Sequence, residues 1–367
     1  MDKFSCGDEI LMLIQYGYLC MGSCRQEASY YPEVMVKISV IVPAYNAEST
    51  LKRAVQSIQE QSFGDFECFL VDNSSTDQTA ERARELIARD ARFQLLLEKE
   101  RGVVSAFHRG LQEARGVYVA RMDADDAMHP ARLELQYAFL EENGAFEAVG
   151  GLVEYKGSGT ERKGFQQYVD WNNTVLRYEQ ILNQRFVDAP IVNPTAMWRK
   201  STGDTLGTYR KGDFPEDYEM WLRWLDQGVK IAKVPDVVLE WWDSSERLTR
   251  SHPAYRDEAF YRVKTFYLAR WLKHNNPYHP AVAVWGASRT YRQRASMLEW
   301  YGVQISHYID IRKERQLSRP VIYYKDMPEP GKLFVLVYVR QWQAKGQIVA
   351  FLHEKGYTEG VDYLLVS

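Results

Sequence analysis

Apolar and polar positions along this chain fall into blocks whose lengths and spacings sort into strands and helices. Lys37–Val42 is an apolar, β-branched run that stops at Pro43, as a buried strand does. Leu51, Ala54, Val55 and Ile58 then recur at i, i+3, i+4 and i+7, the face of a helix that Ser49 or Thr50 can cap. Phe66–Val71 is a second buried run ended by Asp72, and Ala80, Ala83 and Ile87 mark the next helical face behind Ser75 or Asp77. Phe93–Leu97, a helical face of Phe107, Gly110, Leu111 and Ala114, and the strand Val117–Met122 continue the series. Pro130 and Gly144 bracket one more helix, proline at its first position and glycine past its last. This alternation predicts a mostly parallel α/β sheet flanked by helices.

Residues 145–215 are less regular, with short strands expected at Ala148–Tyr155 and Thr195–Trp198. Tyr218, Trp221, Leu222 and Leu225 give a helical face ending at Gly228, which sets Glu216 and Asp217 at that helix's N-terminus. Val237–Trp242 reads as a strand, Ser251–His274 as a long aromatic-rich helix, and Asn275–Pro280 as a linker. A second α/β unit follows. Its expected strands are Ala281–Trp285, Val303–Ile309, Val321–Tyr324, Leu333–Val339 and Tyr363–Val366, with helices over Tyr291–Tyr301 and Ile348–Lys355. The expected organisation is an N-terminal extension over 1–36, a main domain over 37–250, a helix and linker over 251–280, and a smaller domain over 281–367.

Length and composition agree with a large core: 367 residues, 46% of them hydrophobic, including ten Trp and 24 Tyr. A formal charge of −3 supplies no basic field, so bulk nucleic-acid binding is not expected. The longest apolar runs are strand-sized, which predicts a soluble chain or one touching a membrane only peripherally, through the Ser251–His274 helix. Packing between the two domains accounts for that helix equally well. Cysteines at 6, 20, 24 and 68 form neither a disulfide framework nor a paired zinc motif, which fits a reducing cytoplasm.

In parallel sheets, ligands sit beyond the carboxyl ends of the strands, at the point where strand order reverses. The residues to inspect are therefore Pro43–Asn46, Asp72–Asp77 and Asp123–Asp126. In Asp123-Ala124-Asp125-Asp126, Asp123 and Asp125 can converge on a hard divalent cation that takes its remaining ligands from substrate phosphates. A solvated acidic turn is the plain alternative. Asp72 can accept the imide hydrogen of a uracil base or serve turn chemistry, and Asp77 reads as a helix cap. Asp217, at a helix N-terminus, is favoured as the anion and so is a candidate general base, or simply a first-turn acid. Arg109 and His108 lie off their helix's apolar face, where an Arg can meet a diphosphate. Trp221, Trp224, Trp241 and Trp242 can stack on a sugar, although most such aromatics are core.

Five segments together resemble family 2 glycosyltransferases. These are Val40–Asn46, Val71–Asp77, Gly102–Gly116, Met122–Asp126 and Pro215–Trp221, in that family's order and spacing over about Lys37 to Arg250. The resemblance implies a GT-A fold, a nucleotide-sugar donor, and Mn²⁺ or Mg²⁺. It implies that Pro43, Ala44, Tyr45 and Asn46 line the nucleoside pocket and that Asp72 meets the base, which favours UDP and leaves dTDP open. Asp123 and Ala124 would then sit at the ribose or metal, with Asp125 as metal ligand. Asp217 would deprotonate the acceptor, inverting the anomeric carbon, with Glu216 and Trp242 orienting it. Many members carry a Tyr-Arg-x-His stretch after the last core strand. Here that segment is Trp241–Arg250 without a histidine, so Arg247 or Arg250 stands as the phosphate contact. The implied acceptor is a glycan or lipid-linked hydroxyl in cell-surface polysaccharide synthesis.

The C-terminal unit resembles a Rossmann-like module. Its first turn, Trp285-Gly286-Ala287-Ser288-Arg289-Thr290, has one glycine where a dinucleotide fingerprint wants three. Asp310 ends the second strand, at the place of a ribose-binding acid. A docking or regulatory role fits better than NAD-linked oxidoreduction. A non-catalytic nucleotide-sugar or glycan binder of the same fold is the alternative function, and the intact set Asp72, Asp123, Asp125 and Asp217 favours the enzyme.

Overall fold

The expected blocks condense into two sheets. The computed structural model describes residues 36–157, 162–243, 252–313 and 316–367. The extension expected over 1–36 lies outside them save for its last residue, as do Arg247 and Arg250.

The first sheet is built from β1 (Ile38–Ala44), β2 (Phe66–Asp72), β3 (Phe93–Leu97), β4 (Tyr118–Arg121), β5 (Ala127–Met128), β6 (Ala148–Lys156), β7 (Met197–Arg199) and β8 (Ile231–Trp242). Its order is β3-β2-β1-β4-β7-β6-β8-β5. β1 pairs in parallel with both β2 and β4, whereas β7 runs antiparallel to its two neighbours. The order therefore reverses between β1 and β4. Leu51, Ala54, Val55 and Ile58 of the helix Leu51–Gln59 are wholly buried, as their period requires. Gly110 of the helix Val103–Glu113 lets that helix approach β1 closely: a Cβ there would lie 2.6 Å from Ile41 Cγ2.

Several boundaries moved: β8 starts at Ile231 rather than Val237, and the helix expected over Ile348–Lys355 starts at Trp342. The helix after Pro130 starts at Arg132, because the Arg132 amide closes a turn onto the His129 carbonyl first. The long helix begins at Asp257, after a 3₁₀ turn over Pro253–Tyr255.

The second sheet has β9 (Ala281–Trp285), β10 (Gln304–Asp310), β11 (Val321–Tyr323), β12 (Val335–Val337) and β13 (Tyr363–Leu365), all parallel, in the order β11-β10-β9-β12-β13. This is a doubly wound order, and it reverses between β9 and β12. The helices Glu216–Asp226 and Asp257–Asn275 join the two halves. Tyr218 and Leu222 of one and Tyr261, Leu268 and Leu272 of the other share a core with Val282, Val284 and Leu336 of the second sheet. The helix Glu216–Asp226 is accordingly buried nearly all round rather than on one face. The aromatic side chains of the long helix largely serve this packing. Among the described residues, no helix is long and apolar enough to cross a membrane.

Candidate active site

Both order reversals open into one cleft of about 2000 Å³. From the first sheet, Pro43, Ala44, Tyr45 and Asn46 leave β1 and reach its wall together with Asp123, Ala124 and Asp125 beyond β4. Asn46 turns the chain at φ 49°, and its Oδ1 accepts from the Thr76 amide at 2.9 Å. Tyr45 is exposed, and the Arg101 guanidinium lies 4.1 Å from its ring centroid. Asn73 straps the neighbouring loop, accepting from Gly102 N at 2.7 Å and donating to Glu100 O at 2.7 Å.

The acidic turn after β4 is held from three sides. The buried Arg121 pairs with Asp123 Oδ1 at 2.5 Å, and Arg53 donates to the Asp125 carbonyl at 2.5 Å. Asp126 is fully buried and accepts from Trp242 N at 2.9 Å. Carboxylate oxygens of Asp123, Asp125 and Asp126 come within 4.8 Å of one another, the one group among the described residues able to gather a metal ion. An all-carboxylate oxygen set of this kind suits a hard cation such as Mg²⁺ or Mn²⁺.

Glu216 and Asp217 enter the same cleft from the start of their helix. Glu216 Oε2 accepts from the Tyr255 hydroxyl at 2.5 Å, and Asp217 Oδ1 accepts from Tyr218 N at 2.7 Å. The helix terminus was expected to hold Asp217 as the anion. Instead its carboxyl is pushed up to about 8, chiefly by burial and then by the neighbouring Glu216, with Asp123 adding to it. Low dielectric and two nearby carboxylates outweigh the helix dipole here. Burial likewise raises Glu216, against the hydrogen bond from Tyr255.

Other expected residues stand elsewhere. Asp72, level with Ala44 on β2, is buried outside the cleft wall, and its Oδ1 has no hydrogen-bond partner among the described residues. Arg109 is not in the wall either: Glu113, one turn on, holds its guanidinium at 2.7 Å. His108 faces Thr208 at 3.2 Å. Trp242 lies outside the wall, with Arg53 over its ring at 4.1 Å, while Trp241 lines it. Asp310 ends β10 as expected, away from the cleft, and accepts from Arg312 N at 2.9 Å.

Sequence reasoning missed Arg121 and Tyr255. Arg121 sits at the end of an apolar strand, where a charge is the one local sign of a buried partner. Tyr255 carried no sign at all, because its partner is 39 positions away.

A mostly parallel sheet whose switch point carries an acidic turn facing a buried carboxyl pair is the architecture of a GT-A-type glycosyltransferase. Residues 39–204 match the family model described as glycosyl transferase family 2. The chain is 29% identical over 225 residues to the putative glycosyltransferase EpsE of Bacillus subtilis (strain 168), covering 60% of this chain and 77% of that one. It is 27% identical over 206 residues to the amylovoran biosynthesis glycosyltransferase AmsE of Erwinia amylovora, covering 55% and 74% respectively. Among solved structures, S. aureus TarS 1-349 in complex with UDP-GlcNAc aligns with a TM-score of 0.48 at 19% identity, over 72% of this chain and 71% of that one.

Proposed function

We propose that this glycosyltransferase moves a sugar from a nucleotide-diphosphate donor, a UDP-sugar first, to a hydroxyl of a glycan or lipid-linked acceptor, with inversion. The observation that carries the reading is the meeting, in one cleft, of the β1–β4 switch point with Asp123 and Asp125 on one side and Asp217 on the other. In this reading residues 37–250 bind the donor and hold the base, and 281–367 supply the far wall.

Pro43–Asn46 receive the nucleoside, and Asp72, level with Ala44 but behind the wall, meets an imide N–H through its unpaired Oδ1 only where the base reaches past Ala44. Asp123 and Asp125 would hold Mg²⁺ or Mn²⁺, which when bound offsets the charge of the departing diphosphate. Arg121 keeps Asp123 aimed. Asp217 takes the proton of the attacking hydroxyl. The new bond forms at the anomeric carbon as the bond to the diphosphate breaks on the opposite face. A carboxyl raised towards 8 is a stronger base than an ordinary one and still titrates near neutrality, which suits that task. The similarity to an enzyme named for amylovoran biosynthesis supports a role in cell-surface polysaccharide synthesis.

The test is a nucleotide-sugar binding and hydrolysis screen with Mn²⁺ or Mg²⁺ on the wild type and Asp125→Ala. Metal-dependent binding of one UDP-sugar, absent in the variant, is the expected result. A wild type that binds no nucleotide diphosphate under these conditions sinks the reading.

A further inference from the structure

The far wall of the cleft has the opposite electrical character from the near one. It is formed at the carboxyl ends of β9 and β12, the switch point of the second sheet, by Arg294, Arg340, Lys345 and, from the long helix, Lys264. Two carboxylates, Asp188 and Asp257, stand among these four cations. The cations stay in excess even when the Ser367 carboxyl beside them is counted. Asp257 is already shared between Arg294 at 2.7 Å and Arg340 at 2.9 Å. Lys264 donates to the carbonyls of Val187 and Val366 at 3.0 and 2.9 Å.

Lys345 is the side chain that this packing does not explain. It is 5% exposed, lines the cleft, and has no hydrogen-bond or ion-pair partner among the described residues. Its ammonium rests 3.8 Å from the centroid of the Trp342 ring. It also sits in the first turn of the helix Trp342–Glu354, where the aligned backbone dipoles disfavour a cation. That turn has no acidic residue, and Gln341 gives it no side-chain cap. The helix Arg289–Ser296, which follows β9 into the same wall, also has no acid in its first turn. Burial lowers the proton affinity of Lys345 and of Lys264, and the nearby Asp188 carboxylate offsets this only in part. Two helix N-termini, two guanidiniums and a buried ammonium with no hydrogen-bond or ion-pair partner among the described residues make, at a switch point, a receptor for a phosphate-like anion.

We infer that the carboxyl edge of the second sheet is a subsite for a phosphate group carried by the acceptor. This rests on the reading of the cleft as a sugar-transfer site, with the donor at the acidic wall. The acceptor spans the cleft, its hydroxyl towards Asp217 and its phosphate between Lys345, Arg294 and Arg340. The one-glycine turn Gly286–Ser288 is then part of an anion cradle rather than a degenerate dinucleotide site.

The experiment is isothermal titration of the full chain with glycerol 1-phosphate, the smallest probe carrying both hydroxyl and phosphate ester, and separately with inorganic phosphate. Wild type, Lys345→Met, Arg340→Ala and Asp125→Ala are compared. The ester is expected to bind more tightly than the free ion. Both affinities should fall about tenfold or more in Lys345→Met and Arg340→Ala, the loss of a charge-assisted contact, and stay unchanged in Asp125→Ala. UDP with Mn²⁺ should give the reverse pattern, lost in Asp125→Ala and kept in the other two. Phosphate affinity equal in wild type and both cation variants overturns the subsite, as does no measurable phosphate binding to the wild type. Inorganic phosphate binding at least as tightly as the ester overturns its assignment to the acceptor. A wild type that fails to bind UDP sinks the donor reading, and the phosphate titrations still decide the subsite.

Discussion

The Tyr255 hydroxyl donates to Glu216 Oε2 at 2.5 Å, tying the turn before the long helix to the start of the helix that bears Asp217. That bond favours ionised Glu216, and ionised Glu216 in turn holds the Asp217 carboxyl high. Removing the hydroxyl raises Glu216, neutralises it over a wider pH range, and so relaxes Asp217 downward. In Tyr255→Phe the acidic limb of the kcat/KM profile should move to lower pH by roughly half a unit or more. A limb that stays put or moves upward contradicts this coupling.

Asp217→Asn separates chemistry from stability. Loss of a general base is expected to cut kcat by about 10²–10⁴. The folded-state value of about 8 lies above the usual carboxylate range, so the folded form binds this proton more tightly than the unfolded one. Its contribution is fully present below about pH 4 and is lost as pH rises through 8. The variant should therefore melt higher than wild type at pH 8 and lose that advantage near pH 4. Matching pH dependence in the two proteins would show that the carboxyl is not raised.

Removing the Asp123 carboxylate should cost the fold as well as the site. Asp123→Ala leaves the buried Arg121 guanidinium without its ion-pair partner, a loss of about 3 kcal/mol or more. Urea midpoints of wild type and variant in chelator test this, and an unchanged midpoint would contradict it.

At Gly110 propensity and packing disagree in sign. Alanine gains about 1 kcal/mol of helix propensity over glycine. Its methyl would sit 2.6 Å from Ile41 Cγ2 and 3.2 Å from Val71 Cγ2. Overpacking of this kind costs about 1–3 kcal/mol, so Gly110→Ala should be destabilising on balance. A raised melting temperature would mean that the strands β1 and β2 yield more easily than their burial suggests.

The strands and their helices were legible because each is set by a local period. Phe93–Leu97 and Ala281–Trp285 coincide with β3 and β9, and the turns where ligands were expected do reach one cleft. What could not be read is set by distance in sequence. Arg109 looked available to a diphosphate, but Glu113 on the same face holds it. The adjacent Trp241 and Trp242 point to opposite sides of β8, and the alternation alone did not say which side was the wall. The register between β6 and β8 shifts twice before reaching that pair, so counting along the strand fails. The helix dipole was visible at Asp217, whereas its burial and the carboxylates around it were not. The third contact expected at Arg247 or Arg250 lies outside the described residues.

The residues of the acidic wall are all in the chain by the end of β8 at Trp242, but the basic wall needs β12 and β13, which start only at Val335 and Tyr363. Lys264 is anchored on the Val366 carbonyl, and Tyr261 on the Ser367 hydroxyl at 2.6 Å. During synthesis, a chain still missing its last strand has every residue of the acidic wall but not the tail on which Lys264 and Tyr261 are anchored. The wall assigned here to the acceptor closes only when the tail pairs with β12. In the proposed reading, such long-range closure makes transfer a late event in the life of a nascent chain. A molecule nicked near its end would then lose transfer before it lost its capacity for the donor.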